Sequence, residues 1–317
     1  MKLVEKFIMN NLALFCKSYC KDMLRAKRLA ESVQRFNCDK LPLFMCVPSC
    51  DLDSFKRCFE KIDCKFLTDE QVLFESGKRN GELPRLFPQN LLQQLVKLEF
   101  WRLGLCRNYV WIDSDSYFIR PFDFKDFMVD ADTPYLIQDE FSVGRAKQKW
   151  QGISKKELEK RIKRNIALIE KFRKLFNNSG PFYNFGGGMP IVWSVKVLEN
   201  FNEEYLKPRK MSIYEILFKY PCETHLYGEY LHYSRTIPFH PKSHMFRSYL
   251  YLDEFVKSQI EGENEYSIAR SYLGICIQSN WTIFKQRQKK SERFAKHLKE
   301  YQLALGCLKF KRLNGSS

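Results

Sequence analysis

Strand-like and helix-like segments alternate along this chain, and the alternation predicts an α/β fold: a mostly parallel central sheet flanked by helices on both faces. Three observations carry that prediction. Short apolar runs of strand length occur at residues 12–19 (LALFCKSY), 41–49 (LPLFMCVPS) and 109–112 (YVWI). Between them, residues 22–36, 52–62 and 90–105 carry apolar positions at helical spacing. With 317 residues, 44% of them hydrophobic, the chain can bury a sizeable core as one large domain or two intimate ones.

Taken in order, residues 12–19 read as a strand that ends in polar residues, and 22–36 as the helix that follows. Residues 41–49 give a second strand, 52–62 a helix, and 64–74 (CKFLTDEQVLF) a short strand leading into a turn. The helix at 90–105 then feeds the strand YVWID. Further on, residues 154–176 open with a Ser cap and Glu157 three residues later, and their Leu, Ile and Phe positions make an amphipathic helix with a basic face. No repeat and no long Pro-rich or Gly/Ser-rich linker divides the chain. The soft boundaries are 1–124, 125–250 with a basic helical insertion around 145–178, and a basic helical region at 251–317.

The net charge of +16 implies an anionic partner: nucleic acid, an anionic lipid surface or phosphate-bearing substrates. It does not choose among them. Eleven scattered cysteines without a CxxC pair predict free thiols in a reducing cytosol. No apolar run approaches the length of a membrane span, and the first residues lack a leader's apolar core, so a cytoplasmic protein is expected.

The most informative stretch is YVWIDSDSYFIRPFD, residues 109–123. In a parallel sheet, ligands bind beyond the carboxyl ends of the strands, and Asp113 and Asp115 stand at such an end. On extended chain, residues i and i+2 point the same way. Two carboxylates so placed repel unless a cation lies nearby. Mn²⁺ or Mg²⁺, shared with substrate phosphates, is the simplest occupant. The bland alternative is a solvated turn, since Asp and Ser are common turn formers. Lys17 and Ser18, at the end of the first strand, and Gln94 and Lys97, on the helix feeding the aspartates, are placed to meet a phosphate. Solvated helix positions are the plain alternative for the last two.

Residues 183–201 (YNFGGGMPIVWSVKVLENF) set three consecutive glycines among apolar residues, which suggests close backbone approach or a tight bend. The spacing is not a dinucleotide-binding fingerprint. Residues 222–249 hold four of the five histidines, His225, His232, His240 and His244, together with Glu223 and Glu229. Those two glutamates, six apart, cannot share a helix face.

IDSDSYFIRPFD, preceded by QQLVKLEFWRLG, resembles the DxD region of nucleotide-sugar-dependent glycosyltransferases of the GT-A (Rossmann-like) fold, and within these the small bacterial proteins of the DUF6492 type. The likeness runs, more faintly, through FCKSY, NFGGGMPIVWS, CETHLYGEYL and YLGICIQSNW. It implies a nucleotide-sugar donor, with Asp113 at the ribose or sugar and Asp115 on the metal. It also implies a donor-sugar role for Asn184, Gly187 and Gly188, and a further metal ligand from His240 or His244. Glu223, with Glu229 second, is the implied base for an acceptor hydroxyl. The expected reaction is hexose transfer to a glycan or lipid-linked glycan, in bacterial surface polysaccharide or lipopolysaccharide synthesis, with peripheral contact between the basic helices and an anionic membrane. A metal-dependent nucleotidyltransferase or phosphohydrolase and a nucleic-acid-binding protein are the competing readings, though neither a phosphate-binding loop nor a nucleic-acid-binding motif is visible.

Overall fold

The computed structural model describes residues 10–74, 88–186 and 188–278. Strand β1 (Asn10–Lys17) is buried along its centre, as a run of five apolar residues in mid-sheet requires. Helix α1 (Met23–Phe36) follows and turns Ala26, Leu29, Ala30 and Val33 inward. Strand β2 (Leu43–Val47), helix α2 (Leu52–Cys58) and strand β3 (Lys65–Thr68) complete the first units. Past β3 the sequence reading fails: residues Asp69–Phe74 form helix α3, not a turn. The cause is local. Gln71 N–H donates to Thr68 Oγ1 at 3.1 Å, while Thr68 N–H donates to Gln71 Oε1 at 2.8 Å. That reciprocal cap starts a helix at Asp69.

Helix α4 (Gln89–Glu99) tightens into a single turn, Phe100–Leu103, and stops at Gly104, whose φ of 63° suits a residue without Cβ. Strand β4 (Cys106–Trp111) comes next. β1, β2, β3 and β4 pair in parallel in the order β3-β2-β1-β4, so their carboxyl ends share one edge. A fifth strand, β9 (Ile191–Ser194), runs antiparallel beside β4. Phe15 stacks on Phe100 at 4.1 Å, Phe100 meets Tyr109 edge-on at 5.0 Å, and Tyr109 meets Trp193 at 5.9 Å. This aromatic spine fastens α4 and β9 to the sheet; each fully buried ring contributes roughly 1.5–3 kcal/mol.

The expectation that Asp113 and Asp115 lie on extended chain is also corrected. Ser116 N–H bonds back to the Asp113 carbonyl at 3.0 Å, so Asp113-Ser114-Asp115-Ser116 is a turn between β4 and β5 (Ser116–Phe118). β5 belongs to a second, three-stranded sheet, β11 (Phe246–Tyr249), β12 (Gly274–Ile277), β5. Ile277 N–H donates to the Asp115 carbonyl at 3.0 Å, which ties the end of β12 to that turn. Gly274 permits the tight β12–β5 pairing: a Cβ there would lie 2.4 Å from the Tyr117 carbonyl oxygen.

Between β5 and β9 along the chain come the short strands β6 (Tyr135–Ile137) and β7 (Asp139–Glu140), helices α5 (Val143–Lys149) and α6 (Lys155–Phe176), and β8 (Tyr183–Asn184), which pairs with β7. Ser154 Oγ accepts from Glu157 N–H at the start of α6, as the sequence predicts. Helix α6 buries Ile162, Ile169, Phe172 and Phe176 and leaves Lys155, Lys156, Lys160, Lys163 and Arg164 exposed. After β9 come α7 (Val195–Asn200), α8 (Ile213–Lys219), α9 (Glu223–Ser234) and β10 (His240–Lys242). Helix α10 (Leu252–Ile260) follows β11, and α11 (Glu265–Ile268) precedes β12. The buried Arg161 of α6 grips Asp253 of α10 through two bonds of 3.1 and 2.8 Å. The basic stretch from 284 to 312 lies outside the described residues. All cysteines among the described residues are free, and no described helix is long and apolar enough to cross a membrane.

Candidate active site

The carboxyl edge of the sheet is hollow. A cavity of about 440 Å³ is lined by Lys17, Ser18 and Tyr19 after β1, Pro48 after β2, Asp69 after β3, and Asp113, Ser114 and Asp115 after β4. A second cavity, about 590 Å³, opens beside it. Asp113 and Gln278 line both. The first cavity is where a parallel α/β sheet holds ligands; the second lies between β7, α5, α9 and the loop carrying His244.

Lys97 stands at the junction. Its Nζ lies 2.8 Å from Asp113 Oδ1 and 3.4 Å from Glu223 Oε1, and 3.7 Å from the centre of the Trp111 ring. Only 3% of the lysine is exposed. Burial pulls its pKa down, but Asp113 and Glu223 outweigh that and leave it raised, so it is a permanent cation. Glu223 is raised above the ordinary 4.5 by burial, opposed chiefly by Lys97. Three elements, α4, β4 and α9, thus deliver one cation and two carboxylates to one point. Periodicity places Lys97 near Asp113, because α4 feeds β4; nothing local in the sequence announces Glu223, 126 residues away.

Lys17 pairs with Asp69 at 3.0 Å on the wall of the first cavity. Ser18 is 2% exposed, and its Oγ has no partner among the described residues, an orphaned donor and acceptor at a ligand-sized space. Asp115 is 7% exposed and lies 3.6 Å from Cys276 Sγ. Gln94 is not among the residues lining either cavity; its Nε2 donates to the Asn90 carbonyl at 3.0 Å.

Asn184, on β8, lines the larger cavity rather than the strand-end one. Gly187 lies outside the described residues. Gly188 seats the His244 ring, whose Cγ and Nδ1 come within 2.3 Å of where a Cβ would be. His244 Nε2 donates to Asp139 Oδ2 at 2.7 Å in the larger cavity. That bond, against the opposing effect of burial and with help from Lys149 and Arg145, holds the Asp139 carboxyl below its ordinary range. His240 does not join the site: it is exposed on β10, paired with Tyr135 of β6, and lines neither cavity. Glu229 looks the other way, into a separate cavity of about 190 Å³, where it accepts from Asn178 Nδ2 at 2.6 Å. The six-residue spacing from Glu223 on one helix requires that divergence.

Sequence reasoning passed over Asp139, Gln278, Trp150, Tyr251, Arg145 and Lys149, all of which line the larger cavity. It also gave no task to His225, packed between Phe172 and Phe185 at 5.4 and 5.7 Å. Burial holds the His225 imidazole down at about 4, against an ordinary 6.5. The folded state therefore resists its protonation, and the stability it contributes above pH 6.5 drains away as pH falls toward 4. Relative to His225→Phe, the wild type should lose about 3 kcal/mol over that interval. Urea midpoints across pH would read it; parallel curves for the two proteins would show that His225 is not buried neutral.

The two aspartates offer hard carboxylate oxygens on one cavity wall, the donor set that Mg²⁺ or Mn²⁺ takes when substrate phosphates supply the rest. No cluster of three or more potential ligands occurs among the described residues. The donor set fits a cation shared with a substrate, not a closed protein cage.

No curated protein matches the sequence. Among solved structures, the chain is similar to the apo structure of the WbbM bifunctional glycosyltransferase, at 13% identity and a TM-score of 0.46, covering 86% of this chain and 46% of that one. The chain thus spans less than half of that protein. It is also similar to apo mouse xyloside xylosyltransferase 1, at 11% identity and a TM-score of 0.40, covering 83% and 93% of the two chains. Residues 8–169 match a family described as "Family of unknown function (DUF6492)", and the chain belongs to that family.

Proposed function

We propose that this protein is a glycosyltransferase that moves a hexose from a nucleoside diphosphate donor in the strand-end cavity to a hydroxyl of a glycan in the larger one. The observation that carries the reading is the meeting of the two cavities at Asp113, with Lys97 bonded to Asp113 and to Glu223. A donor bound along β1 and β4 would bring its diphosphate past Asp113 and Asp115 and its nucleoside toward Lys17, Ser18 and Tyr19. The orphaned Ser18 hydroxyl supports a polar ligand there.

In the transfer, the acceptor oxygen bonds to the anomeric carbon as the bond from that carbon to the phosphate oxygen breaks, and the acceptor proton passes to a base. Glu223 suits that role. Burial raises its proton affinity, and Lys97 opposes that rise. A divalent cation held by Asp113 and Asp115 would offset the charge building on the diphosphate. Lys97 fixes the spacing between the carboxylate nearest the donor and the carboxylate nearest the acceptor.

The deciding experiment measures nucleotide release from UDP-, GDP-, CMP- and dTDP-sugars, with and without Mn²⁺, for the wild type and Asp115→Ala. Release from one donor, requiring both metal and Asp115, is expected. Failure of the folded wild type to bind or turn over any donor would sink the proposal.

A further inference from the structure

The larger cavity has an uneven wall. Trp150 and Tyr251 present aromatic surface to it, and both are held from behind: Trp150 Nε1 donates to Glu254 Oε1 at 3.1 Å, and the Arg161 guanidinium lies 3.6 Å from the Tyr251 ring centre. Aromatic faces anchored this way are platforms on which an amphipathic ring can rest. On the same wall, α5 presents Arg145 and Lys149, one helical turn apart, both lining the cavity and both exposed.

The acids of the cavity are largely engaged elsewhere. Asp113 and Glu223 share Lys97, and Asp139 accepts from His244. Asp139 feels both Lys149 and Arg145, and Glu140 lines the same cavity, but neither base forms an ion pair with these carboxylates among the described residues. Arg145 Nη1 spends one weak bond, 3.4 Å, on the Glu140 carbonyl, and Lys149 makes no hydrogen bond or ion pair among the described residues. A cavity lined by carboxylates, two aromatic rings and two cations that make no ion pair among the described residues is built for a ligand that is itself uneven.

We propose that the larger cavity takes a glycan acceptor that carries a negative group, phosphate or carboxylate, held by Arg145 and Lys149 with a sugar ring against Trp150 and Tyr251. This rests on the transferase reading for the word acceptor, but the site stands on its own lining. Charge-assisted contacts from a guanidinium and an ammonium both select an anion. They also orient the ligand, since the opposite end of the cavity, at Glu223 and Asp113, repels negative charge and favours a neutral hydroxyl.

The test measures dissociation constants, without donor, for three soluble probes: a short alkyl hexoside, the matching alkyl hexuronide and the matching hexosyl phosphate. At least one charged probe should bind about tenfold more tightly than the neutral one. That advantage should vanish in Arg145→Gln/Lys149→Gln and persist in Lys156→Gln/Lys163→Gln, which removes two exposed charges from the outer face of α6. Whichever anion wins identifies the source, a phosphate-linked glycan or an acidic sugar. Equal affinities, no binding of any probe, an advantage that survives the α5 changes, or one lost equally with the α6 pair would each overturn the proposal. Nucleotide binding, measured separately, keeps the two readings apart: a charge preference without nucleotide binding removes the transferase and leaves the anion site, and the reverse removes the anion site alone.

Discussion

With Lys97 replaced by Met, the protein is expected to lose about 3 kcal/mol of stability, toward the lower end of what breaking a buried ion pair costs. The ammonium lies between two carboxylates and over an indole face, at 2.8, 3.4 and 3.7 Å. Methionine fills much of the volume but leaves the half-buried Asp113 and the buried Glu223 as neighbouring acids with no cation between them. One will take up a proton to survive there. The loss should therefore be smaller at pH 5 than at pH 8, and adding Glu223→Gln to Lys97→Met should recover part of it. Urea midpoints for the two single variants, the double and the wild type at both pH values close the cycle. If Lys97→Met is as stable as the wild type at pH 8, the lysine is not the clamp that its distances describe.

The second large effect separates function from stability at one residue. Glu223→Gln keeps the shape and a hydrogen-bonding oxygen but cannot accept the acceptor's proton. Transfer should fall roughly 10²- to 10⁴-fold, the range for removing a general base. The sign of the stability change is the opposite of what loss of an ion pair suggests. Burial raises the Glu223 pKa in the fold above the ordinary 4.5, so the fold favours its protonated form. Its contribution is therefore full below about 4.5 and declines as pH rises through the folded value. At pH 8 the glutamine variant, never charged, should be at least as stable as the wild type, and the acid limb of the wild-type rate profile should be absent from it. A Glu223→Gln protein that unfolds more easily at pH 8, with transfer intact, would make Glu223 a structural anion only.

Much of this arrangement can be read from the chain, and the unread parts have identifiable physical reasons. The apolar cores of β1, β2 and β4 show no polar alternation because both sheet faces are covered, which is why their positions are legible. The carboxyl-end rule then puts Lys17, Ser18, Asp113 and Asp115 around one hollow. Helix α3 was missed although Thr68-Asp-Glu-Gln71 spells its cap, because the segment before it is short and the helix has only six residues. The turn at Asp113 was mistaken for extended chain because a strand follows at once. Glu223, Asp139 and His244 meet the site through contacts far apart in sequence, which no periodic pattern encodes. His240 and His244 look equivalent as letters; Gly188, which gives His244 room, and the edge pairing of β10 make them different.

The shared lysine also bears on how such a site can change over generations. Lys97, Asp113 and Glu223 set one cation against two carboxylates drawn from distant parts of the chain. Loss of Lys97 leaves two carboxylates without their cation, whereas loss of one carboxylate leaves a matched pair. Inherited drift at these positions is therefore expected to move in concert, with each tolerated replacement conditional on what already occupies its neighbours. A lineage that abandoned transfer would be freer to lose Glu223 than to lose Lys97 while both carboxylates remain.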